Sequence, residues 1–280
     1  EVCGKRAIDY FADKFDDPMM YAQAVKSVSV PTQSILFNID IEGPLTKDKT
    51  AVLRVFAKMF YNHCGFYGDD LKIAKLERFI EKQGKTQQFR EAFEKVNGAP
   101  WTETRDSFAF FEDDIVSVLQ STLGMSEQAA RNWFNGEETN ELSIAQLVAD
   151  IQEYVDGKGK DFRLLFMVDE VGQYIGDDGD LMINLQSLVE EIGIRCHGKV
   201  WVMVTSQEAI DSVVHITGND FSKIQGRFNT RLSLSSSSVD EVIKKRVLAK
   251  TDAADQLLLM VYDKEHAVLK NLYTFNNPVL

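Results

Sequence analysis

The sequence predicts an α/β fold built on a parallel sheet, and three observations carry that prediction. Residues 162–170 (FRLLFMVDE) form an apolar run that ends in two adjacent carboxylates. A second apolar run covers residues 200–204, and apolar side chains recur at helical spacing over 181–192 between the two runs. A right-handed crossover makes such strands parallel neighbours with their polar ends at one edge. A continuous apolar strand is typical of a sheet covered by helices on both faces.

The N-terminal part predicts one strand between helices. Residues 5–27 have helical periodicity that is interrupted near Pro18. A strand at 35–41 and a helix at 51–61 follow, separated by the turn signal Gly43-Pro44. The next region has apolar spacing and start and stop signals that favour helices only, predicted at residues 71–81, 89–96, 108–123, 126–134 and 143–154.

The C-terminal part returns to the sheet and then to helices. After the strand at 200–204 we predict a last strand at 230–234 and helices at 239–250 and 257–271. Ser238 with Glu241 three residues later forms a capping box for the first of these helices. The predicted organisation is therefore a first part of the core at residues 1–65, a helical insertion at 66–155, the rest of the core at 160–236 and the start of a helical lid at 237–280.

Composition limits the classes of function. The 280 residues are 44% hydrophobic and 26% charged, with no apolar run long enough to span a membrane and no signal-peptide pattern, so we expect a cytoplasmic protein. Three scattered cysteines favour reduced thiols. A net charge of -12 argues against wrapping nucleic acid over the whole surface. Residues 223–250 carry seven basic against two acidic side chains, which fits either a solvated helix face or a surface that meets phosphate.

The residues that follow the apolar strands are the candidates for chemistry. Carboxylate oxygen suits Mg²⁺, so Asp169 is the candidate metal residue, directly or through water, and Glu170 is the candidate to orient or deprotonate an attacking water. Ser206 would sense the water or a γ-phosphate, although Thr205 and Gln207 beside it are also candidates. A simpler interpretation gives these residues no chemical role. An acidic pair is common in loops, and Thr205 and Ser206 would then only cap a following helix.

Two arginines precede the predicted last strand. Arg227 and Arg231 lie in the segment QGRFNTR at 225–231. A guanidinium stays charged and binds oxygens bidentately, so either arginine could reach a phosphate that a neighbouring subunit binds.

These segments together resemble a known family. LLFMVDE is similar to the Walker B segment of AAA+ type P-loop ATPases, VWVMVTSQ to their sensor 1 strand and GRFNTR to their arginine-finger box. The stretch 162–246, with ILFNID near the front, more closely resembles the large P-loop ATPase component of bacterial BREX phage-defence systems. The resemblance implies a parallel AAA+ like sheet, incomplete in this chain, with ATP and Mg²⁺ as cofactors. It also implies a homo-oligomer assembled through the arginine-finger face, other defence-system proteins as partners, indirect contact with DNA at most, and no membrane.

The phosphate cradle of such a site has no clear counterpart in the sequence. The pattern G-x-x-x-x-G-K-[ST] is expected between a strand and a helix. Residues 43–50 (GPLTKDKT) place Lys49 and Thr50 in register, but Asp48 puts a negative side chain where the second glycine belongs. Lys49 and Thr50 are therefore weak candidates for binding nucleotide. The resemblance implies that the cradle lies upstream of Glu1, so we expect this fragment alone to be inactive.

Three hypotheses of function remain open from the sequence. The leading one is the nucleotide-hydrolysis half of an oligomeric ATPase serving antiviral defence. The second is an assembly or signalling scaffold whose nucleotide site is degenerate. The third is a DNA-binding module that uses the basic region 223–250, whose affinity should fall steeply with salt.

Overall fold

The structure is a computed structural model that describes most of the chain. It describes residues 4, 6–12, 17–44, 46–135, 142–176, 178–206, 228, 230, 232, 243, 248 and 250–272, without the side chains of residues 7 and 269–272. The chain divides into a larger unit, Glu1–Asn229, and a smaller one, Thr230–Leu280. In the smaller unit the described helix spans Asp252–Leu272.

The larger unit is a mixed α/β structure, mostly helical, around a small parallel sheet. Its strands are β1 (Thr32–Asn38), β2 (Arg163–Asp169) and β3 (Val200–Val204), in the order β1-β2-β3 with every pair parallel. The helices are α1 (Pro18–Val28), α2 (Ile39–Glu42), α3 (Ala51–His63), α4 (Leu71–Lys82), α5 (Thr86–Asn97), α6 (Trp101–Thr104), α7 (Glu112–Leu123), α8 (Glu127–Asn135), α9 (Ile144–Gly157), α10 (Val171–Ile175) and α11 (Gly179–Arg195). Short 3-10 helices cover Ala7–Tyr10 and Arg105–Phe110.

The first strand differs from its predicted bounds. It spans Thr32–Asn38 and not 35–41, and Ile39–Glu42 is a short helix. The Asn38 side chain accepts hydrogen bonds from the N–H groups of Asp40 and Ile41, which starts the helix and ends the strand. The apolar residues Ile39 and Ile41, which look like a continuation of the strand in sequence, therefore belong to α2.

The helix predicted at 108–123 is also shorter in the structure. Arg105–Phe110 is a 3-10 helix with a non-helical Ser107, and α7 begins only at Glu112. Phe111, the residue before α7, has φ -121° and ψ 23°, outside the helical region. The apolar spacing of Phe108 and Phe111 is thus produced by two elements that follow each other, which periodicity alone does not separate.

One face of the sheet carries the main core. The buried strand residues Ile35, Phe37 and Phe166 pack toward α3, where the Phe56 ring lies 5.5 Å from the Phe37 ring and 5.3 Å from the Phe166 ring. Helix α11 packs against both α3 and α9, which places these helices in one layer. The right-handed crossover rule accounts for this because the strands follow each other in one direction across the sheet.

The opposite face of the sheet differs from the expectation of helices on both sides. Leu36, Trp201 and Met203 alternate with buried or half-buried neighbours and are at least half exposed. In the part of the chain that the structure describes, helices therefore cover a single face.

A second core lies among α4 to α8. It is built from aromatic and branched side chains, namely Ile73, Leu76, Ile80, Phe89, Phe93, Trp101, Ile115, Val116, Val118, Leu119, Ala130 and Phe134. Helix α4 contributes to both cores and carries the buried Glu77, which accepts hydrogen bonds from Trp101 Nε1 at 2.7 Å and Arg105 at 3.0 Å. Those partners explain how a carboxylate can be buried there.

Candidate functional site

The polar residues after the three strands lie next to one another at one edge of the sheet. The register pairs Asn38 of β1 with Asp169 of β2, and Val168 of β2 with Val204 of β3. Thr205 then follows β3 beside Asp169. Ligands of open α/β sheets bind outside the carboxyl ends of the strands, so this edge is the candidate site. Because β2 is the middle strand, its acidic pair has a neighbour on each side.

Asp169 presents its carboxylate to solvent at the end of β2. The residue is exposed, and its Oδ1 accepts a hydrogen bond from the Thr205 hydroxyl. One carboxylate oxygen is therefore held by the protein. A carboxylate fixed in this way at an exposed strand end is suited to a hydrated divalent cation.

Glu170 has a strained backbone. Its φ of 60° and ψ of 29° lie in the left-handed region, which residues with a Cβ rarely adopt. Its N–H donates to Thr205 Oγ1 at 3.2 Å, and the next N–H, of Val171, donates to the Thr205 carbonyl at 3.0 Å. Such strain is found preferentially at functional sites, where the surrounding structure maintains it.

Asn38 is a site residue that the sequence reasoning did not single out. Its Nδ2 donates to Glu170 Oε2 at 2.5 Å, while its Oδ1 accepts from Asp40 N at 2.9 Å and from Ile41 N at 3.2 Å. The two backbone donors require an oxygen at their side of the amide, so the amide nitrogen must face Glu170. A polar asparagine within the apolar run ILFNIDI, in the middle of the strand predicted at 35–41, was the available signal.

Ser206, the predicted sensor, is packed more tightly than Thr205. Its Oγ is buried and has no hydrogen-bond partner among the described residues. A Cβ built on Gly172 would lie 2.0 Å from that oxygen, so only glycine lets α10 approach Ser206 this closely. Gln207, the third candidate for the sensor, lies outside the described residues.

The weak candidates Lys49 and Thr50 lie just before α3. Side chains of this chain already accept hydrogen bonds from the N–H groups at the start of that helix. Asp48 Oδ1 accepts from Thr50 N at 2.8 Å and from Thr50 Oγ1 at 2.7 Å. The N–H of Leu53 donates to Asn184 Oδ1 at 3.0 Å. The hydrogen bonds from Thr50, with Arg54 nearby, hold the pKa of Asp48 below its usual value. A phosphate would have to displace this charged carboxylate, so the loop does not fit a phosphate cradle.

The same loop instead supports the helix that follows Glu170. Lys47 Nζ donates to the Tyr174 carbonyl at 2.9 Å and lies 4.1 Å from the centre of the Tyr174 ring. A Cβ on Gly43 would come within 2.6 Å of that ring, so the glycine permits the close approach. The loop at 43–50 and Ser206 therefore both pack on α10, the loop at Tyr174 and Ser206 at Gly172.

An open groove of about 710 Å³ lies next to this loop but not at the acidic pair. Its walls include Thr50, Arg54 and Lys58, and Lys58 Nζ is paired with Glu42 at 2.8 Å and Asp69 at 2.9 Å. Asp169, Glu170 and Ser206 do not line it. Since Lys58 is paired with two carboxylates and Arg54 is paired with Asp48, the strand edge remains the stronger candidate site.

The predicted arginines cannot be compared with this geometry. Arg227 and Arg231 lie outside the described residues, as do all but isolated positions of the predicted strand at 230–234, the predicted helix at 239–250 and the basic region 223–250.

A divalent cation at this edge would find few protein ligands. No group of three or more His, Cys, Asp or Glu side chains that could hold a metal occurs in the described segments. Asp169 alone offers an exposed carboxylate held by Thr205. That donor set fits Mg²⁺, which keeps several waters and commonly takes one or two carboxylates together with phosphate oxygens. It does not fit a cation that needs a full cage of protein ligands.

No protein-family model and no solved structure matches the chain. None of the helices in the described ranges combines the length and the apolar run needed to cross a bilayer.

Proposed function

We propose that this chain carries the hydrolysis side of an ATP site in an oligomeric AAA+ like P-loop ATPase. The observation that supports it best is the acidic pair at the end of the central strand, with Asn38 from one neighbouring strand holding Glu170 and Thr205 from the other side bonded to Asp169. Antiviral defence of the BREX type is the setting that the sequence resemblance favours.

Asp169 and Glu170 have different roles in this proposal. Asp169 would hold Mg²⁺, directly or through water, and the ion would neutralise charge that develops on the phosphates. Glu170 has Oε2 engaged by the Asn38 amide, and we assign the hydrogen bond from the attacking water to Oε1. Asn38 therefore fixes which oxygen of Glu170 faces the water. A fixed carboxylate orients water better than a freely rotating one.

The rest of the proposed site comes from other parts of the protein. The phosphates need backbone N–H donors from a segment other than residues 43–50, where Asp48 occupies the helix start. Arg227 or Arg231 is proposed to act on a nucleotide bound by a neighbouring subunit, where a guanidinium stabilises negative charge in the transition state.

The test uses the complete protein that carries this sequence. Glu170→Gln keeps the shape of the side chain but removes its basicity, and we expect ATP turnover to fall at least about a hundredfold with nucleotide binding retained. Asp169→Asn should raise the Mg²⁺ concentration needed for half-maximal turnover. Glu103→Gln, an exposed residue of α6, is the matched control and should behave as wild type.

Two outcomes would count against the proposal. If Glu170→Gln turns over ATP as fast as Glu103→Gln, Glu170 takes no part in the reaction. A wild-type protein that binds ATP without hydrolysing it would favour the scaffold with a degenerate site instead.

A further inference from the structure

Thr205 contacts four successive residues at the end of β2. Its N–H donates to the Val168 carbonyl at 2.9 Å, its hydroxyl donates to Asp169, the same hydroxyl oxygen accepts from Glu170 N at 3.2 Å, and its carbonyl accepts from Val171 N at 3.0 Å. Every polar group of the residue is therefore used on the segment that carries the acidic pair.

The hydroxyl replaces a ladder contact that the backbone cannot make. Parallel strands are joined by evenly spaced backbone hydrogen bonds. At Glu170 the chain turns into the left-handed region and leaves the strand, and the Thr205 carbonyl accepts the N–H of Val171 and not that of Glu170. The Thr205 side chain accepts that N–H instead, and in doing so it stabilises a conformation that is otherwise unfavourable.

We propose that Thr205 is a positioning residue of the hydrolytic site, acting through Asp169 and Glu170 and not through the nucleotide. This inference rests on the proposed ATP hydrolysis and deepens it. One oxygen sets both the direction of the Asp169 carboxylate and the backbone conformation from which the Glu170 side chain projects. Ser206, whose oxygen is buried against Gly172, has neither contact.

A capping or packing role for Thr205 makes different predictions. If the residue merely filled space after β3, its shape would matter and its hydroxyl would not. Valine has the same branched shape without the hydroxyl, and serine keeps the hydroxyl without the methyl group. The pair Thr205→Val and Thr205→Ser therefore separates positioning from packing.

The experiment measures ATP turnover, the KM for ATP and the unfolding midpoint of the complete protein. We expect Thr205→Val to lower kcat by about tenfold, the effect of losing one net hydrogen bond, with KM changed less than about twofold. Thr205→Ser should keep kcat within about twofold of wild type. The matched control is Thr104→Val, which removes a hydroxyl that donates to the Pro100 carbonyl at 3.1 Å in the helical region, and it should behave as wild type.

Any other outcome contradicts the positioning role proposed for Thr205. Equal wild-type kcat for both variants would show that the hydroxyl does not position the pair. Equal losses in both, with a lowered unfolding midpoint, would assign Thr205 to packing. If wild type is active and Glu170→Gln is not, while Thr205→Val is fully active, the Thr205 proposal alone fails. If wild type and Glu170→Gln share the same background turnover, the proposed function fails and the Thr205 role falls with it.

Discussion

The contact between Gly172 and Ser206 gives a prediction whose size follows from the structure. A Cβ on Gly172 would lie 2.0 Å from Ser206 Oγ and 3.0 Å from Ser206 Cβ. Rotation of the serine can relieve the first contact but not the second. Overpacking of this kind costs about 1–3 kcal/mol. Alanine gains about 1 kcal/mol over glycine in a helix, so Gly172→Ala should lower the free energy of unfolding by up to about 2 kcal/mol.

Urea unfolding of a graded series of variants measures this effect. Ser206→Ala in the Gly172→Ala background removes the oxygen and should recover part of the loss, and Ser206→Gly removes the Cβ as well and should recover most of it. The two positions should therefore couple in a double-mutant cycle. The control is Gly193→Ala in α11, where a Cβ meets nothing within 4 Å and should stabilise the helix by about 1 kcal/mol.

Two results would refute this reasoning. Equal stability of Gly172→Ala and Gly193→Ala would show that the close approach of α10 to Ser206 does not exist in solution. Additive effects of the changes at Gly172 and Ser206 would show that the loss has another cause.

Two further predictions concern buried groups of the larger unit. Tyr61→Phe removes a hydroxyl that donates to Asp150 Oδ2 at 2.8 Å in the core, so it should lower the free energy of unfolding by about 1–3 kcal/mol. The control is Tyr154→Phe, because Tyr154 is less buried. A loss of stability in Tyr61→Phe no larger than that in Tyr154→Phe would contradict this prediction. Burial raises the pKa of the Cys64 thiol to about 12. Its alkylation rate in the native protein, followed by mass spectrometry, should therefore keep rising from pH 8 to pH 10, because the thiolate fraction increases throughout that range; a plateau near pH 9 would show an ordinary thiol.

The strands with uninterrupted apolar runs were accessible from sequence because burial dictates their composition. Strand β3 has the predicted bounds Val200–Val204, and β2 begins one residue after the predicted apolar run starts. The end of β1 was not accessible in this way, since a local hydrogen bond from the Asn38 side chain outweighs the apolar pattern of Ile39 and Ile41.

The arrangement of the candidate site was only partly predictable. Parallel neighbours imply that Asp169, Glu170 and the residues after β3 share an edge. Which side chain contacts the acidic pair depends on the left-handed turn at Glu170, and that turn is maintained by contacts from Asn38 and Thr205, distant in sequence. A conformation that only tertiary contacts stabilise leaves no local signal in the residue that adopts it.

The most direct test of the central claim is the ATP turnover number of the complete protein with Glu170→Gln, measured at saturating ATP and Mg²⁺ beside wild type. Our account predicts an active wild type and a variant that binds ATP but turns it over at least about a hundredfold more slowly. A variant as active as wild type would contradict it.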